Sequence, residues 1–358
     1  MVPIRVLPVD DSVVVRRAIA ELLGGAADVE VQRAAQSGAI ALQRIRECAP
    51  DVVLLDVEMP EMSGLQTLAE IRRLHPRLPV IMFSASTDRG SSTTVEALAL
   101  GASDYMVKPS SLGGGAAATA TRDELLRKVR ALGRPWAGPG GLPAAAAAAP
   151  KRAGRRPRGP VDVLAIGCST GGPNALTAVL AELAAELAVP VLIVQHMPPM
   201  FTGLLAERLD KGCALTVREA VDGARLDAGD AWLAPGGKHM VVERRAQGVF
   251  VRLTEEPPEN SCRPAVDPLF RSVVRAYGAK VLGVVLTGMG QDGLRGCEAI
   301  VAAGGQVVVQ DEATSVVWGM PGAVASEGLA DAVLPLAAIA AEISRRVGAP
   351  RSAEEPRG

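Results

Sequence analysis

Three polar side chains each follow an apolar stretch of the sequence, and their types are those of a hydrolytic triad. Ser169 lies in a glycine-rich turn, 167–172, directly after the apolar stretch Val161–Ile166. His196 closes a second apolar stretch, and Asp292 lies in a glycine-rich turn after a third. A serine in such a turn can act as a nucleophile, with a histidine as its base and an aspartate that orients the histidine. The pattern therefore predicts hydrolysis of an ester or a related acyl group.

A second polar group lies in the first third of the chain. Asp10 and Asp11 follow the first apolar stretch, Asp56 ends another, and Ser84 and Lys108 end two more. Clustered carboxylates repel one another unless a cation binds them, and a site of oxygen ligands with a phosphate suits Mg²⁺. A phosphoryl group on Asp56 would be neutralised by Mg²⁺ and Lys108 and would accept a hydrogen bond from Ser84. The sequence predicts a magnesium-dependent phosphorylation site here.

The elements that must position this acidic group alternate over residues 1–132. Apolar runs predict strands, and amphipathic segments between them predict helices over 12–23, 38–48, 64–74, 91–100 and 122–132. The predicted strands are Ile4–Val9, Val29–Ala34, Val52–Asp56, Val80–Phe83 and Tyr105–Val107. Five strand-helix repeats predict a doubly wound parallel sheet, whose carboxyl edge gathers the strand ends. Pro8 lies inside the first strand and predicts a local irregularity, because proline donates no ladder hydrogen bond.

A break in this rhythm separates two predicted domains. Residues 133–160 combine prolines, glycines and an alanine run with a basic cluster, which predicts a flexible linker. The basic cluster, 151–158, could contact nucleic acid or an acidic partner, but it contains no aromatic residue and has no attached fold, which favours a solvated tether. From 161 to about 350 a second α/β domain is predicted, with a small antiparallel hairpin at His239–Glu243 and Gly248–Leu253. Its predicted strands are Val161–Ile166, Val189–Gln195, Leu215–Ala220, Lys280–Thr287 and Gln306–Gln310.

The composition narrows the class of protein. The 358 residues are 48% hydrophobic and 22% charged, with a formal net charge of -1, so the chain as a whole has no global basic footprint for nucleic acid. The five cysteines form no Cys-x-x-Cys pair, which speaks against a disulfide framework or a zinc site. Neither a signal-peptide pattern nor an apolar run long enough for a membrane span occurs. We expect a cytoplasmic two-domain protein without membrane insertion.

The serine turn alone is compatible with several kinds of site. An α/β-hydrolase has the order Ser, Asp, His, whereas these candidates occur as Ser169, His196, Asp292. A dinucleotide site is disfavoured because the G-x-G-x-x-G pattern is missing. Of the other two histidines, His75 is predicted after a surface helix and His239 in a structural turn. Cys168, next to the nucleophile, should point away from it and has no catalytic role.

The first domain resembles the receiver domain of bacterial response regulators over residues 4–132. The resemblance rests on the five strand-end residues together with Pro60, Gly64, Tyr105 and the dipeptide Lys108-Pro109. It implies that Asp56 accepts a phosphoryl group from a histidine kinase and that Asp10, Asp11 and Asp56 hold Mg²⁺. It also implies that Ser84 and Tyr105, with Lys108, form the switch that responds to phosphorylation.

The second domain resembles the chemotaxis response regulator protein-glutamate methylesterases over residues 161 to about 345. The motifs beyond the triad are Pro198, Phe201-Thr202, Arg208-Leu209-Asp210, Ala234-Pro235-Gly236-Gly237, Cys262-Arg263-Pro264, Asp311-Glu312-Ala313-Thr314-Ser315 and Gly319-Met320-Pro321. The resemblance implies that Ser169 is the nucleophile, His196 its base and Asp292 the residue orienting that base. It implies demethylation of chemoreceptor glutamyl γ-methyl esters, deamidation of receptor glutamines, and no metal in this domain.

Three other functions compete with this interpretation. A binding-only adaptor would not need Ser169, His196 and Asp292 together. A transcription regulator is the commonest output of a receiver, but the second domain shows no helix-turn-helix pattern. An esterase for small soluble esters would turn over a simple methyl ester and a receptor at similar rates.

Overall fold

The chain divides into two compact units, within residues 1–145 and 146–358. A computed structural model describes residues 2–84, 88–108, 116–133, 159–185 and 187–348 of the protein. The predicted linker, 133–160, lies outside the described residues except at its two ends, and so does the chain after residue 348.

The first unit is a five-stranded parallel sheet with helices between successive strands. The strand order is β2-β1-β3-β4-β5, with every neighbouring pair parallel. The strands are β1 (Ile4–Val9), β2 (Val29–Val31), β3 (Val52–Asp56), β4 (Val80–Ser84) and β5 (Asp104–Val107). The helices are α1 (Val13–Leu23), α2 (Gly38–Cys48), α3 (Gly64–Leu74), α4 (Asp88–Ala99) and α5 (Ala116–Leu132). This confirms the predicted doubly wound fold.

Serine side chains set the starts of three of these helices. Ser12, Ser37 and Ser63 each accept a hydrogen bond from a backbone amide in the first turn, which satisfies one of the unpaired amides at a helix start. Ser63 forms a capping box in which Gln66 reaches back to the Ser63 amide. These caps place the helix starts directly after the strand-end loops that carry the acidic residues.

Two predictions for this sheet are corrected by the structure. The second strand ends at Val31 rather than Ala34, and only an isolated bridge joins Val9 to Ala35 beyond it. The predicted irregularity at Pro8 does not occur, because β1 is continuous and Pro8 lies opposite Leu54 of β3. Since β2 has already ended at this level, the missing donor of Pro8 leaves the strand regular.

The second unit is built on a seven-stranded parallel sheet of order β14-β13-β12-β6-β7-β9-β8. Its strands are β6 (Val163–Cys168), β7 (Val191–Gln195), β8 (Thr216–Glu219), β9 (Asp230–Leu233), β12 (Val281–Val285), β13 (Gln306–Gln310) and β14 (Ala332–Leu334). A separate antiparallel hairpin pairs β10 (His239–Arg245) with β11 (Gly248–Thr254). The predicted sheet and hairpin are confirmed, whereas β9 and β14 were not predicted.

Helices connect the strands of the second sheet and pack on its faces. They are α6 (Gly172–Ala181), α7 (Pro199–Gly212), α8 (Val266–Tyr277), α9 (Leu294–Ala302), α10 (Met320–Ser326) and α11 (Leu336–Val347). The central strands β12, β6 and β7 are buried along their whole length, as expected of a parallel sheet covered on both faces. Phe270 of α8 and Phe201 of α7 are fully buried large side chains of this unit.

No helix within the described ranges is long and apolar enough to cross a membrane.

Candidate active site

The three predicted catalytic residues follow three neighbouring strands. Strands β12, β6 and β7 are adjacent in the sheet, and Asp292, Ser169 and His196 lie beyond their carboxyl ends. Parallel strands present their carboxyl ends on one edge, where the sites of α/β proteins form. The backbone amide of His196 donates to the carbonyl of Cys168 (3.2 Å), so β7 delivers the histidine next to the serine turn. The structure thus brings the predicted group together at one edge.

The turn that presents Ser169 is fixed through its backbone. The Ser169 amide donates to the Thr287 carbonyl over 3.0 Å, and the Gln195 side-chain amide donates to the Ser169 carbonyl over 3.1 Å. Gly171 has φ of 79°, a conformation that favours glycine, and α6 begins directly after it. Gly288 passes so close that an added Cβ would lie 3.0 Å from the Cβ of Ser169. The glycines of both turns allow the two loops to meet at the serine.

His196 and Asp292 form the tightest side-chain contact of the site. The Nε2 atom of His196 lies 2.7 Å from Oδ2 of Asp292, which is 2% exposed. The same oxygen accepts the Val266 amide over 2.6 Å, and Oδ1 accepts the Asp267 amide over 3.1 Å. Both amides belong to the first turn of α8, whose positive dipole end favours an anion. The start of α8 therefore holds Asp292 ionised and in place.

The ionisation of this pair follows from its contacts. Burial lowers the pKa of His196, but the hydrogen bonds and charges of Asp292 and Cys262 outweigh burial and raise it above its ordinary value. Burial raises the pKa of Asp292, whereas His196 and the α8 amides lower it, with the pKa lowered overall. An anionic carboxylate beside a more basic imidazole is the arrangement expected of a general base and the group that orients it.

The other ring nitrogen of His196 faces a cysteine. Nδ1 of His196 lies 3.5 Å from Sγ of Cys262, which is half-buried. The Ser169 hydroxyl, also half-buried, has no hydrogen-bond partner within the described part of the chain. Since Nε2 is held by Asp292, Nδ1 is the nitrogen through which His196 would accept a proton.

Two residues near the triad were missed by the sequence analysis. Asn260 donates from Nδ2 to Oδ1 of Asp292 and to Oδ2 of Asp267, each over 2.9 Å. Asp267 is 1% exposed, and its pKa is raised to about 6, first by burial and then by the charge of Asp292. Both residues are near Cys262-Arg263-Pro264, a motif that was noted in the sequence without a role. Their contacts with Asp292 join segments that lie 25 and 32 residues apart in the sequence, so local sequence patterns do not reveal them.

The other cysteine and histidine residues considered in the sequence analysis occupy positions that fit structural roles. The Cys168 thiol is buried and contacts the Val194 carbonyl, and burial raises its pKa, so it is no part of the site. His239 is buried at the start of β10, where its ring contacts the Pro257 carbonyl and the Ala265 amide. His75 ends α3 in the first unit. His196 is therefore the histidine of the three that faces Asp292.

Candidate oxyanion donors can be narrowed among the glycine-rich turns. The amides of Ser169, Gly172 and Gly288 already donate to the carbonyls of Thr287, Ser169 and Val317. These three amides are fixed as the hydrogen bonds that shape the turns. Thr170 and Gly171 of the first turn, and Met289 and Gly290 of the second, remain candidates for binding a developing oxyanion.

The acidic group of the first unit also gathers at a sheet edge. One carboxylate oxygen each from Asp10, Asp11 and Asp56 lies within 4.8 Å of the others, with Asp10 and Asp56 buried and Asp11 exposed. Nζ of Lys108 lies 2.8 Å from Asp10 and 2.7 Å from Asp56. Three hard oxygen donors at this spacing fit a divalent cation such as Mg²⁺.

The charge of this acidic cluster is only partly compensated. Burial raises the pKa of Asp56 to about 6, the Lys108 ammonium opposes this, and the charge of Asp10 adds to it. Asp10 also accepts the Ser12 amide through Oδ1 over 2.9 Å, which fixes its carboxylate to the start of α1. An added cation would relieve the repulsion among these carboxylates.

The predicted switch residues lie beside this cluster. Ser84 ends β4, is fully buried, and donates from its hydroxyl to the Gly90 carbonyl over 3.0 Å. Tyr105 of β5 is buried with Nζ of Lys128 5.0 Å from its ring centroid, and burial raises the pKa of its hydroxyl. Gly64, at the start of α3, leaves no room for a side chain, because an added Cβ would lie 2.1 Å from the Asp56 carbonyl oxygen.

Both units of the chain are similar to known protein families. Residues 164–343 match the CheB methylesterase family, and residues 6–118 match the response regulator receiver domain family. The chain is 49% identical over 352 residues to a protein-glutamate methylesterase/protein-glutamine glutaminase of Trichodesmium erythraeum, covering 96% of this chain and 99% of that one. The chain belongs to the CheB methylesterase family.

Further relatives agree with this family over both units. A Nocardioides protein of the same name is 47% identical over 362 residues, covering 99% of this chain and 98% of that one. The crystal structure of the Thermotoga maritima CheB methylesterase catalytic domain is 40% identical, with a TM-score of 0.50, over 51% of this chain and 97% of that one. The seven-stranded unit is thus the methylesterase domain, and the five-stranded unit is a receiver.

Proposed function

We propose that this chain demethylates glutamyl γ-methyl esters on the cytoplasmic helices of chemoreceptors, with Ser169 as nucleophile, His196 as base and Asp292 as the residue orienting that base. The family carries protein-glutamate methylesterase and protein-glutamine glutaminase activities, and this chain has both on that ground. The observation that carries the residue assignment is the 2.7 Å contact of His196 with buried Asp292, beside the serine turn. The biological role of the protein is adaptation in chemotaxis.

The first half-reaction forms an acyl-enzyme. Nδ1 of His196 takes the Ser169 proton as the hydroxyl oxygen attacks the ester carbonyl, while Asp292 at Nε2 stabilises the imidazolium. The carbonyl electrons collapse back, the bond to the methoxy oxygen breaks, and His196 gives its proton to the leaving group, which departs as methanol. Amides of the Met289–Gly290 loop are suited to stabilise the oxyanion.

The second half-reaction releases the glutamate side chain. His196 takes a proton from water, the resulting nucleophile attacks the acyl carbonyl, and Ser169 leaves as its hydroxyl with the proton from His196. A receptor glutamine follows the same path, with ammonia in place of methanol. One site can therefore produce glutamate from both kinds of side chain.

The receiver is proposed to control this site through Asp56. Its carboxylate would attack the phosphorus of a phosphohistidine on a chemotaxis histidine kinase, the P–N bond would break, and the kinase imidazole would leave. Asp10, Asp11 and Asp56 would hold Mg²⁺. The chemistry that Mg²⁺ supplies in such a site is neutralisation of the phosphoryl oxygens. Lys108, 2.7 Å from Asp56, is placed to pair with the new phosphoryl charge, and Ser84 is placed to donate to it after leaving Gly90.

One contact favours a second candidate nucleophile. The Cys262 thiol faces Nδ1 of His196 at 3.5 Å while Asp292 holds Nε2, so these three side chains also have the spatial arrangement of a cysteine hydrolase triad. Ser169 is the stronger candidate because its glycine turn and the adjacent loops expose the hydroxyl at the same edge. In that case Cys262 takes no part in the reaction, and the His196 ring would turn so that Nδ1 exchanges its contact with Cys262 for one with Ser169.

The two candidates are separated by single substitutions. Methanol release from receptor membranes carrying labelled methyl groups is measured for the wild type, Ser169→Ala and Cys262→Ala, each with and without a small phosphodonor. We expect Ser169→Ala to lose about 10⁴-fold or more in kcat and Cys262→Ala to stay within about tenfold of the wild type. The reverse result would assign the reaction to Cys262, and full activity in both would refute either triad.

A further inference from the structure

A tight turn at residues 259–262 contacts both the base and the acid of the proposed triad. The amides and carbonyls of Glu259 and Cys262 bond to each other over 3.1 and 2.9 Å, and the two residues between them have positive φ, 52° for Asn260 and 63° for Ser261. Glu259 is tied to Arg271 of α8 by two contacts of 2.7 and 2.6 Å. The turn is thus anchored to the same helix that holds Asp292.

Asn260 is itself an exposed residue, and its side-chain amide reaches two buried carboxylates. Its Nδ2 atom carries two hydrogens and lies 2.9 Å from Oδ1 of Asp292 and 2.9 Å from Oδ2 of Asp267. Because ionised carboxylates only accept hydrogen bonds, the amide nitrogen and not the amide oxygen must face them. The amide therefore donates to both acids at once.

The two acids do not depend on Asn260 to the same extent. Asp292 also accepts from His196 and from the amides of Val266, Asp267 and Gly293. Oδ1 of Asp267 accepts the Gly296 amide over 2.7 Å, whereas Oδ2 has Asn260 as its only hydrogen-bond donor among the described residues. Two buried carboxylates this close repel each other, and a shared proton is the usual relief.

We propose that Asn260 is a positioning residue that keeps Asp292 fully ionised by donating to Asp292 and Asp267 together. Without the amide, the two carboxylates would share one proton, and Asp292 would carry it for part of the time. A protonated Asp292 no longer places a negative charge beside His196. This inference rests on His196 being the base of the proposed function and holds whether Ser169 or Cys262 is the nucleophile.

The charged and titratable groups around the two acids come from several elements. Asp292 and Asp267 are faced by one imidazole and by side chains of the 259–262 turn, α8 and α9, namely His196, Glu259, Arg271, Arg295 and Cys297. Cys262 contacts the imidazole rather than the acids. The two arginines are paired with Glu259 and Glu298. Since those cations are already paired, the neutral amide of Asn260 is the group placed to relieve the repulsion.

The test removes the amide without straining the turn. Asn260→Gly suits the positive φ, and Ser261→Gly is a matched control because Ser261 has the same backbone conformation and is exposed. The chain has three histidines, so the imidazole of His196 can be followed in the full-length protein by NMR titration, assigned with His75→Gln and His239→Gln. Methanol release from methylated receptor membranes gives kcat, KM and their pH profiles.

We expect Asn260→Gly to lower the pKa of His196 and to reduce kcat by about tenfold or more, with KM within about twofold of the wild type. Ser261→Gly should match the wild type in all three quantities. Asn260→Gly with Asp267→Asn should recover the wild-type pKa of His196, because the second acid is gone. A merely structural role of Asn260 would not be rescued in this way.

Each outcome separates this inference from the triad itself. An unchanged His196 pKa in Asn260→Gly, or a lowered pKa that Asp267→Asn fails to restore, overturns the role of Asn260. Circular dichroism shows whether each variant folds. If Asn260→Gly fails to fold, and the double variant with Asp267→Asn folds but is inactive, the role of Asn260 is overturned as well. Activity that survives Ser169→Ala and Cys262→Ala would refute the triad, whatever the titration shows.

Discussion

Two carboxylate sites lie at the carboxyl edges of two parallel sheets, and their charges are compensated in different ways. Asp292 accepts five hydrogen bonds, from His196, Asn260 and three backbone amides. In the receiver, Asp10 and Asp56 share the one ammonium of Lys108, with Asp11 nearby. Sheets of the same topology thus carry one carboxylate, Asp292, whose charge is fully hydrogen-bonded, and one cluster with excess negative charge.

This difference matches the role proposed for each site. A residue that orients a base must hold one position and one charge through the reaction, and fixed amides provide this. A phosphorylation site must change its charge and its contacts, and an under-compensated cluster responds strongly to a cation or a phosphoryl group. The methylesterase edge is built to stay the same, whereas the receiver edge is built to change.

The largest expected effect on catalysis comes from removing the charge of Asp292. Asp292→Asn should lower kcat for methanol release by about 10⁴-fold, because an amide at this position stabilises the wrong tautomer of His196 and cannot balance the imidazolium. KM should change little. The matched control is Asp162→Asn, which removes a half-exposed partner of Lys280 away from the site. A loss of less than tenfold would mean that Asp292 is not part of the catalytic group.

Removing charge from the receiver edge should leave the basal reaction intact. Asp56→Asn, or chelation of Mg²⁺ with EDTA, should abolish stimulation by a small phosphodonor, a coupling that is typically about 5- to 150-fold. The basal rate should be the same as that of the wild type. The measurement is labelled methanol release from receptor membranes with and without the phosphodonor. Stimulation that persists in Asp56→Asn would exclude this carboxylate as the phosphorylation site.

The pH profile should report the charge that Asp292 imposes on His196. The reaction needs neutral His196, and its raised pKa means that this form is lost as the pH falls through a value above the ordinary 6.5. The acid limb of kcat should therefore lie above pH 6.5, with activity falling about tenfold per pH unit below the limb. A limb at or below 6.5 in the wild type would contradict the raised pKa.

The smallest effect tests the packing around Asp56. Gly64→Ala would place a Cβ 2.1 Å from the Asp56 carbonyl oxygen, so the loop must shift, at a cost of about 1–3 kcal/mol in receiver stability. Thermal unfolding should show this loss in the receiver alone, and basal methanol release should be unchanged. Gly212→Ala is the control, because an added Cβ there meets no atom within 4 Å. An unchanged receiver Tm would show that the loop accommodates a side chain.

The sequence was most informative where a functional residue directly follows a buried strand. Ser169, His196 and Asp292 could be placed at one edge because strands of a parallel sheet end on the same side. The acidic cluster was found for the same reason. The exact strand ends were less predictable, as β2 shows, because its side chains are only half-buried and its pattern is weak.

The support of Asp292 could not be found from local patterns. Asn260 precedes Asp292 by 32 residues, and its contact depends on two consecutive residues with positive φ and on the docking of α8. Asp267 is an acidic residue in the first turn of a helix, where a carboxylate usually serves only the helix dipole. Only the packed structure shows that these residues meet the triad. Strands β9 and β14, of four and three residues, were also missed.

The central claim, that Ser169 is the nucleophile activated by His196 and Asp292, can be tested by covalent labelling. The full-length protein is treated with a fluorophosphonate, which reacts with activated hydroxyl groups, and the modified residue is located by peptide mass spectrometry. We predict a single adduct on Ser169 that forms in the wild type and is strongly slowed in Asp292→Asn. An adduct on Cys262, or labelling of Ser169 at equal rates in both proteins, would contradict the account.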